Sequence, residues 1–213
     1  MVTRTLTADE VPFHPEVAHR FLNVRRSSEK FQQMQELVEE VYKKYYHLIQ
    51  PRFRYDILRV AERDEGANRV QLDGGVKLTG SGVYQLLERA MYAAPFVLSL
   101  GDRVDGVMKE LSQEDFTEAY FLDGVASALA DGVLEVLKRE LADQAGKLEC
   151  VPGYRYAPGY ARWPIEEQNQ IFALLKPDDI GVHLTDTAYM VPQKSLSGVF
   201  NLNPVRNQQR TGT

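Results

Sequence analysis

The residues best suited to hold a charged ligand lie together in Arg155-Tyr156-Ala157-Pro158-Gly159-Tyr160. A guanidinium grips a carboxylate through two parallel hydrogen bonds, so Arg155 can fix an anionic group in one orientation. Pro158 and Gly159 set a turn whose main-chain donors and acceptors can reach a ligand. Tyr160 adds a ring face that attracts a cation. A zwitterionic small molecule with a further positive charge satisfies all three; the same residues also suit an arginine in a surface turn with two packed tyrosines. This segment opens a longer stretch, residues 154–200, which ends with small hydroxyl residues around Gly198. Asp131 is the other residue of interest, an acid on a helix otherwise rich in small side chains, where it must either face water or receive a donor.

No acid–base constellation accompanies this segment. His14, His19, His47 and His183 fall on separate segments without metal-ligand spacing, and neither a nucleophile elbow nor a paired-carboxylate motif occurs. Cys150 is the sole cysteine, which excludes intramolecular disulfides and cysteine-rich metal sites and leaves a buried thiol as its reading. Gly80-Ser81-Gly82 lacks both the third glycine of a dinucleotide fingerprint and the Gly-Lys-Ser/Thr of a phosphate loop. It reads as a helix start capped by Ser81.

The elements that must position these residues follow from pattern. A short helix is expected over 16–22. A long one follows, capped by Ser27 or Ser28, with Phe31, Met34, Val38, Val41 and Tyr45 at helical spacing and Pro51 as its stop. Alternation with turn residues predicts short strands over 53–80. A helix from Val83 to Met91 is ended by Pro95, and a buried strand occupies 96–100. Asp102 caps a helix over 103–111; the next starts near Ser112 or Gln113 and runs with a bend to about Asp143. Then come the loop that opens residues 154–200, a helix over 165–175, a strand over 180–191 and its return over 196–202.

With 213 residues, 44% of them hydrophobic, the chain supports one sizeable core or at most two small ones, and a single domain is expected. A net charge of -5 and a pI of about 5.5 disfavour a nucleic-acid surface, which needs a basic face. The opening residues carry no signal-like apolar core, and no run approaches the roughly 20 apolar residues of a membrane span, so a cytoplasmic protein is expected. Residues 1–52 read as a helical arm of the same domain, 53–204 as its core and 205–213 as a flexible tail.

The chain resembles the S-adenosylmethionine-binding activation domain of cobalamin-dependent methionine synthase, in a short stand-alone form. The likeness is carried by Arg-x-x-x-Gly-Tyr, here Arg155 to Tyr160, followed by a helix and a second block. That block is Leu184-Thr185-Asp186-Thr187-Ala188-Tyr189-Met190-Val191-Pro192-Gln193-Lys194-Ser195-Leu196-Ser197-Gly198. The resemblance extends through Leu98-Ser99-Leu100-Gly101-Asp102-Arg103-Val104-Asp105 and the helix with Asp123 and Asp131, and is loose over the first fifty residues. It implies a single α+β domain with a twisted, largely antiparallel sheet flanked by helices. It also implies an activity: the domain presents S-adenosylmethionine to an oxidised cob(II)alamin, with an electron from flavodoxin or another reductant. Because the chain has no Asp-x-His-x-x-Gly motif, the cobalamin must come from a partner methionine synthase or other corrinoid protein.

Carried over by residue, Arg155 holds the ligand carboxylate, the main chain of Ala157, Gly159 and Tyr160 lines the adenosyl side, and Asp131 stands where the family has a longer glutamate. Met190 and Ser195 are expected to face the corrin. A C-terminal tyrosine of the family falls on Gln208, a departure that keeps open a second reading, a corrinoid-protein docking module without a methyl donor. A Rossmann-type methyltransferase is disfavoured by the lack of a glycine-rich strand-to-helix loop.

Overall fold

A computed structural model describes residues 1–23 and 30–205. The strands are β1 (Val2–Thr5), β2 (Arg52–Tyr55), β3 (Leu58–Asp64), β4 (Arg69–Leu72), β5 (Lys77–Thr79), β6 (Tyr92–Ser99), β7 (Cys150–Tyr156), β8 (His183–Leu184), β9 (Met190–Val191) and β10 (Ser195–Pro204). The helices are α1 (Pro15–Phe21), α2 (Phe31–Tyr45), α3 (Ser81–Leu87), α4 (Arg103–Glu114), α5 (Phe116–Gly146) and α6 (Gln168–Leu175). Eight strands form one antiparallel sheet around β6, which pairs with β10 along one edge and with β2 and then β3 along the other. β7 closes beyond β10, while β4 and β5 extend the β3 side. This is the α+β domain with a largely antiparallel sheet that the resemblance implied.

The sheet separates two cores, as the two-residue period of β6 requires. Ala94, Phe96 and Leu98 point into a core completed by α1, α2 and α5, whereas Ala93 and Val97 meet α3 and α6. Helix α5 is the main buried helix, with Val125, Val133, Leu137 and Leu141 wholly enclosed. Its small residues serve the arm: a Cβ on Gly132 would lie 2.1 Å from the Pro12 carbonyl oxygen, and one on Gly124 would lie 2.5 Å from Leu22 Cγ. Among the described residues no helix is long and apolar enough to cross a membrane.

Several sequence expectations shift. Pro95 lies inside β6 and does not precede a strand; it occupies the point where the neighbour changes from β2 to β3, so its missing N–H leaves no ladder partner unmet. Its carbonyl accepts from Asp56 N at 3.2 Å. The preceding helix therefore ends at Leu87. Helix α4 continues to Glu114, and α5 begins at Phe116, where the Asp115 side chain accepts from Glu118 N. Asp102 and Gly80 hold the cap positions of α4 and α3 without a side-chain bond, so Ser81 is the first helical residue and not the cap. The proposed caps Ser27 and Ser28 lie outside the described residues.

The expected strand over 180–191 is instead a short 3-10 turn, Pro177–Ile180, and the small hairpin of β8 and β9. Local hydroxyl chemistry breaks the strand: Thr185 Oγ1 accepts from Tyr189 N at 3.1 Å, Thr185 N donates to Tyr189 O at 2.8 Å, and Ala188 takes a left-handed φ of 60°.

Candidate functional site

Arg155 does not sit in a loop. It belongs to β7, whose main chain pairs with β10 at Phe200 and Val199, and the turn begins only at Ala157. The strand gives the guanidinium a rigid base. Its side chain is exposed and makes no hydrogen bond or ion pair among the described residues.

The turn is held from inside and from behind. Gly159 N donates to Trp163 O at 2.9 Å and Trp163 N to Tyr160 O at 3.0 Å, a closure that needs the positive φ of Gly159, 87°. Trp163 is wholly buried and stacks on Tyr156 with ring centroids 6.0 Å apart. The Tyr156 hydroxyl donates to Ala161 O. Behind them lies the Gly80-Ser81-Gly82 segment. A Cβ on Gly80 would lie 2.9 Å from Trp163 Cδ1, a Cβ on Gly82 would lie 2.4 Å from Tyr156 Cε1, and Gly82 N donates to Arg162 O at 3.1 Å. Those glycines thus serve close packing behind the turn.

The second block is anchored on the helices. Lys194 Nζ reaches Asp123 Oδ1 at 2.8 Å and Ser127 Oγ at 2.9 Å on α5, and Gln193 N donates to Asp105 Oδ2 at 2.6 Å on α4. Ser195 is 5% exposed, and its hydroxyl bonds to Ser99 Oγ at 2.9 Å and to the Pro192 carbonyl at 2.7 Å. Its side chain therefore faces the protein interior, which does not suit the expected corrin-facing role. Gln168, at the start of α6, ties the two halves of the second block together: its amide donates to Ala188 O at 2.6 Å, and its carbonyl accepts from Ser197 Oγ at 2.5 Å.

Between the two blocks lies a cleft of about 640 Å³. Asp131 from α5, Arg155, Ala157 and Tyr160 line it together with Met190 and Tyr189. Of the expected ligand contacts, Gly159 is the one outside it; it lies on the far side of the turn with Gly80 and Trp163. Gly159 N and Tyr160 N are both used within the turn, Tyr160 N meeting Ala157 O at 3.4 Å. Gln208 lies outside the described residues. Sequence reasoning missed Gln168, Thr185 and Tyr189 as cleft residues. Tyr189 was within the quoted block, but only the hairpin turns it outward, 67% exposed.

The chemistry of the cleft is that of opposed charges. Asp131 and Arg155 line it from different elements without an ion pair between them, and Asp131 has no hydrogen-bond partner among the described residues. A ligand with separate anionic and cationic groups meets both. Among the described residues no cluster of three metal-ligating side chains exists.

Comparison with known proteins agrees with this architecture. A search of curated proteins finds no match. A solved structure described as the "Crystal Structure of the MetH Reactivation Domain bound to AdoHcy" is similar over 96% of this chain and 79% of that one, with a TM-score of 0.71 and 15% identity, a likeness of fold. Residues 57–208 match the model of the vitamin B12 dependent methionine synthase activation domain, well over half of the sequence, and the chain belongs to that family.

Proposed function

We propose that this protein binds S-adenosylmethionine in the cleft and presents it to a cob(II)alamin cofactor held by a partner, a methionine synthase or related corrinoid protein, as a reactivation subunit acting in trans. The observation that carries this reading is the pair of opposite charges, Arg155 and Asp131, neither with an ion-pair partner among the described residues, in one cleft of small-molecule size. Arg155 takes the carboxylate of the amino-acid end through charge-assisted bonds, and Asp131 takes its ammonium group. Ala157 and Tyr160 flank the adenosyl portion, with Tyr160 and Tyr189 offering ring faces to the sulfonium. Gly159 contributes by shaping the turn. When bound, S-adenosylmethionine supplies an activated methyl group; cobalt belongs to the partner, and the electron comes from flavodoxin or a similar reductant.

What this chain supplies is position. A donor held by both ends on a strand and a braced turn loses its freedom before the acceptor arrives, the condition under which proximity accelerates group transfer. Met190 is half-buried at the cleft margin on β9, and in this reading its side chain meets the corrin. Ser195 acts indirectly by fixing Pro192 below that margin. The working compartment is the cytoplasm, where a cobalamin-bearing synthase would be met.

Titration calorimetry of the full chain with S-adenosylmethionine tests the reading, followed by titration with a cobalamin-loaded methionine synthase. Saturable heat in the first supports a donor-binding subunit. No heat in the first, with binding in the second, replaces it by the docking module that lacks a methyl donor.

A further inference from the structure

The family match begins at residue 57, yet the arm that precedes it reaches the cleft. We propose that Phe21 of α1 is a ligand-contacting residue, forming the apolar wall that receives the part of the ligand beyond its amino-acid head. This rests on the ligand reading above and adds to it a residue from outside the matched region.

Helix α1 is held by close packing against α5. Leu22 lies over Gly124 and Pro12 over Gly132, both at distances that leave no room for a Cβ, so the arm runs antiparallel to α5 and presses on its backbone at both ends, with the Pro12 carbonyl at one and the Leu22 side chain at the other. Ala18 and Leu22 are buried in that contact, 0% and 5% exposed. They suffice to hold the helix. Phe21 is left 52% exposed, makes no ring contact among the described residues, and lines the cleft with Asp131 and Arg155. A large apolar side chain half in water, on a helix already fixed by its neighbours, contributes little to the fold and leaves its area for something else to cover.

The antiparallel register says which part of the ligand that is. Asp131 adjoins Gly132 at the Pro12 end of the contact, and Phe21 lies at the Gly124 end. At 1.5 Å per residue the two ends are separated by roughly 12 Å along α5. An amino-acid head gripped by Asp131 and Arg155 therefore leaves Phe21 facing the more apolar remainder of the molecule. A ligand that shares the head but lacks this remainder, such as methionine, gains nothing from Phe21.

Calorimetry on the full chain tests this with wild type, Phe21→Ala and Phe21→Leu, each titrated with S-adenosylmethionine and with methionine, alongside thermal melting without ligand. The expected result is about fivefold to twentyfold weaker S-adenosylmethionine binding for Phe21→Ala, from the lost apolar contact. Partial recovery is expected in Phe21→Leu, with unchanged melting temperatures and an unchanged response to methionine. In the wild type, amide hydrogens of residues 15–22 should exchange more slowly once S-adenosylmethionine is bound. Wild-type affinity in Phe21→Ala, with Arg155→Ala impaired, overturns the role of Phe21 and leaves the ligand reading standing. Failure of the wild type to bind overturns both.

Discussion

Gln168 and Ser197, 29 residues apart, are joined by a 2.5 Å hydrogen bond inside the protein, and the same Gln168 amide holds the Ala188 carbonyl at 2.6 Å. One side chain thus fixes the floor of the cleft to the hairpin that carries Tyr189 and Met190. Gln168 is 3% exposed, so both bonds are shielded from water. Removing it strands a buried hydroxyl and a buried carbonyl. Gln168→Ala should cost about 2–4 kcal/mol of stability, the penalty for two unmet buried groups, read by urea unfolding. Ser197→Ala removes only one partner and should cost less.

Gly132→Ala is expected to be among the most damaging single-methyl changes. Its Cβ would approach the Pro12 carbonyl oxygen to 2.1 Å, and backbone cannot rotate away as a side chain can. Overpacking of this kind costs about 1–3 kcal/mol or more. Here the cost should appear as a lower melting temperature and faster amide exchange in α1. Gly146→Ala, where a Cβ would meet nothing within 4 Å, is the control and should leave both unchanged.

The sequence was readable where pattern and chemistry act locally, and less so where distant contacts decide. The stripe from Phe31 to Tyr45 yielded α2 because its period is intrinsic, with Val38 and Val41 buried as their spacing required. The end of α3 and the start of β6 were displaced because Pro95 is tolerated only by the change of partner from β2 to β3, which no local window contains. The turn after Arg155 was legible from Pro158 and Gly159. That Arg155 itself lies on a strand was not, since its pairing with β10 spans 45 residues. Gly80 and Gly82 read as no more than a helix start; their close contact with Trp163 and Tyr156, about 80 residues away, could not be seen locally.

Arg155 and Asp131 should separate affinity from stability. Neither has an ion-pair partner among the described residues, so Arg155→Ala and Asp131→Asn should melt within about 0.5 kcal/mol of wild type, the range of surface changes. Arg155→Ala should weaken S-adenosylmethionine binding by roughly 1.5–3 kcal/mol, as for a charged hydrogen bond. Asp131→Glu keeps the charge with the longer reach that the family resemblance implies and should retain binding. Calorimetry with unchanged affinity in both Arg155→Ala and Asp131→Asn would assign these residues to the surface alone.

Alkaline pH should weaken the fold through Tyr55 and Cys150. Burial pushes the phenol of Tyr55 up, aided by the nearby Glu140 carboxylate, and burial pushes the Cys150 thiol up, aided by Glu149. For both groups the folded state favours the neutral, protonated form. Their contribution is therefore complete below the unfolded-state values, about 8.5 for cysteine and about 10 for tyrosine. It is lost as pH rises from there towards the raised folded values, because the unfolded chain releases its protons first. Between these limits stability should fall by up to about 1.4 kcal/mol per pH unit for each group. Urea unfolding across pH 8 to 11 reads this slope. Tyr55→Phe removes the phenol's share, and the variant's curve should be flatter than that of wild type above pH 10; parallel curves would show that the phenol ionises as easily in the folded chain as in the unfolded one.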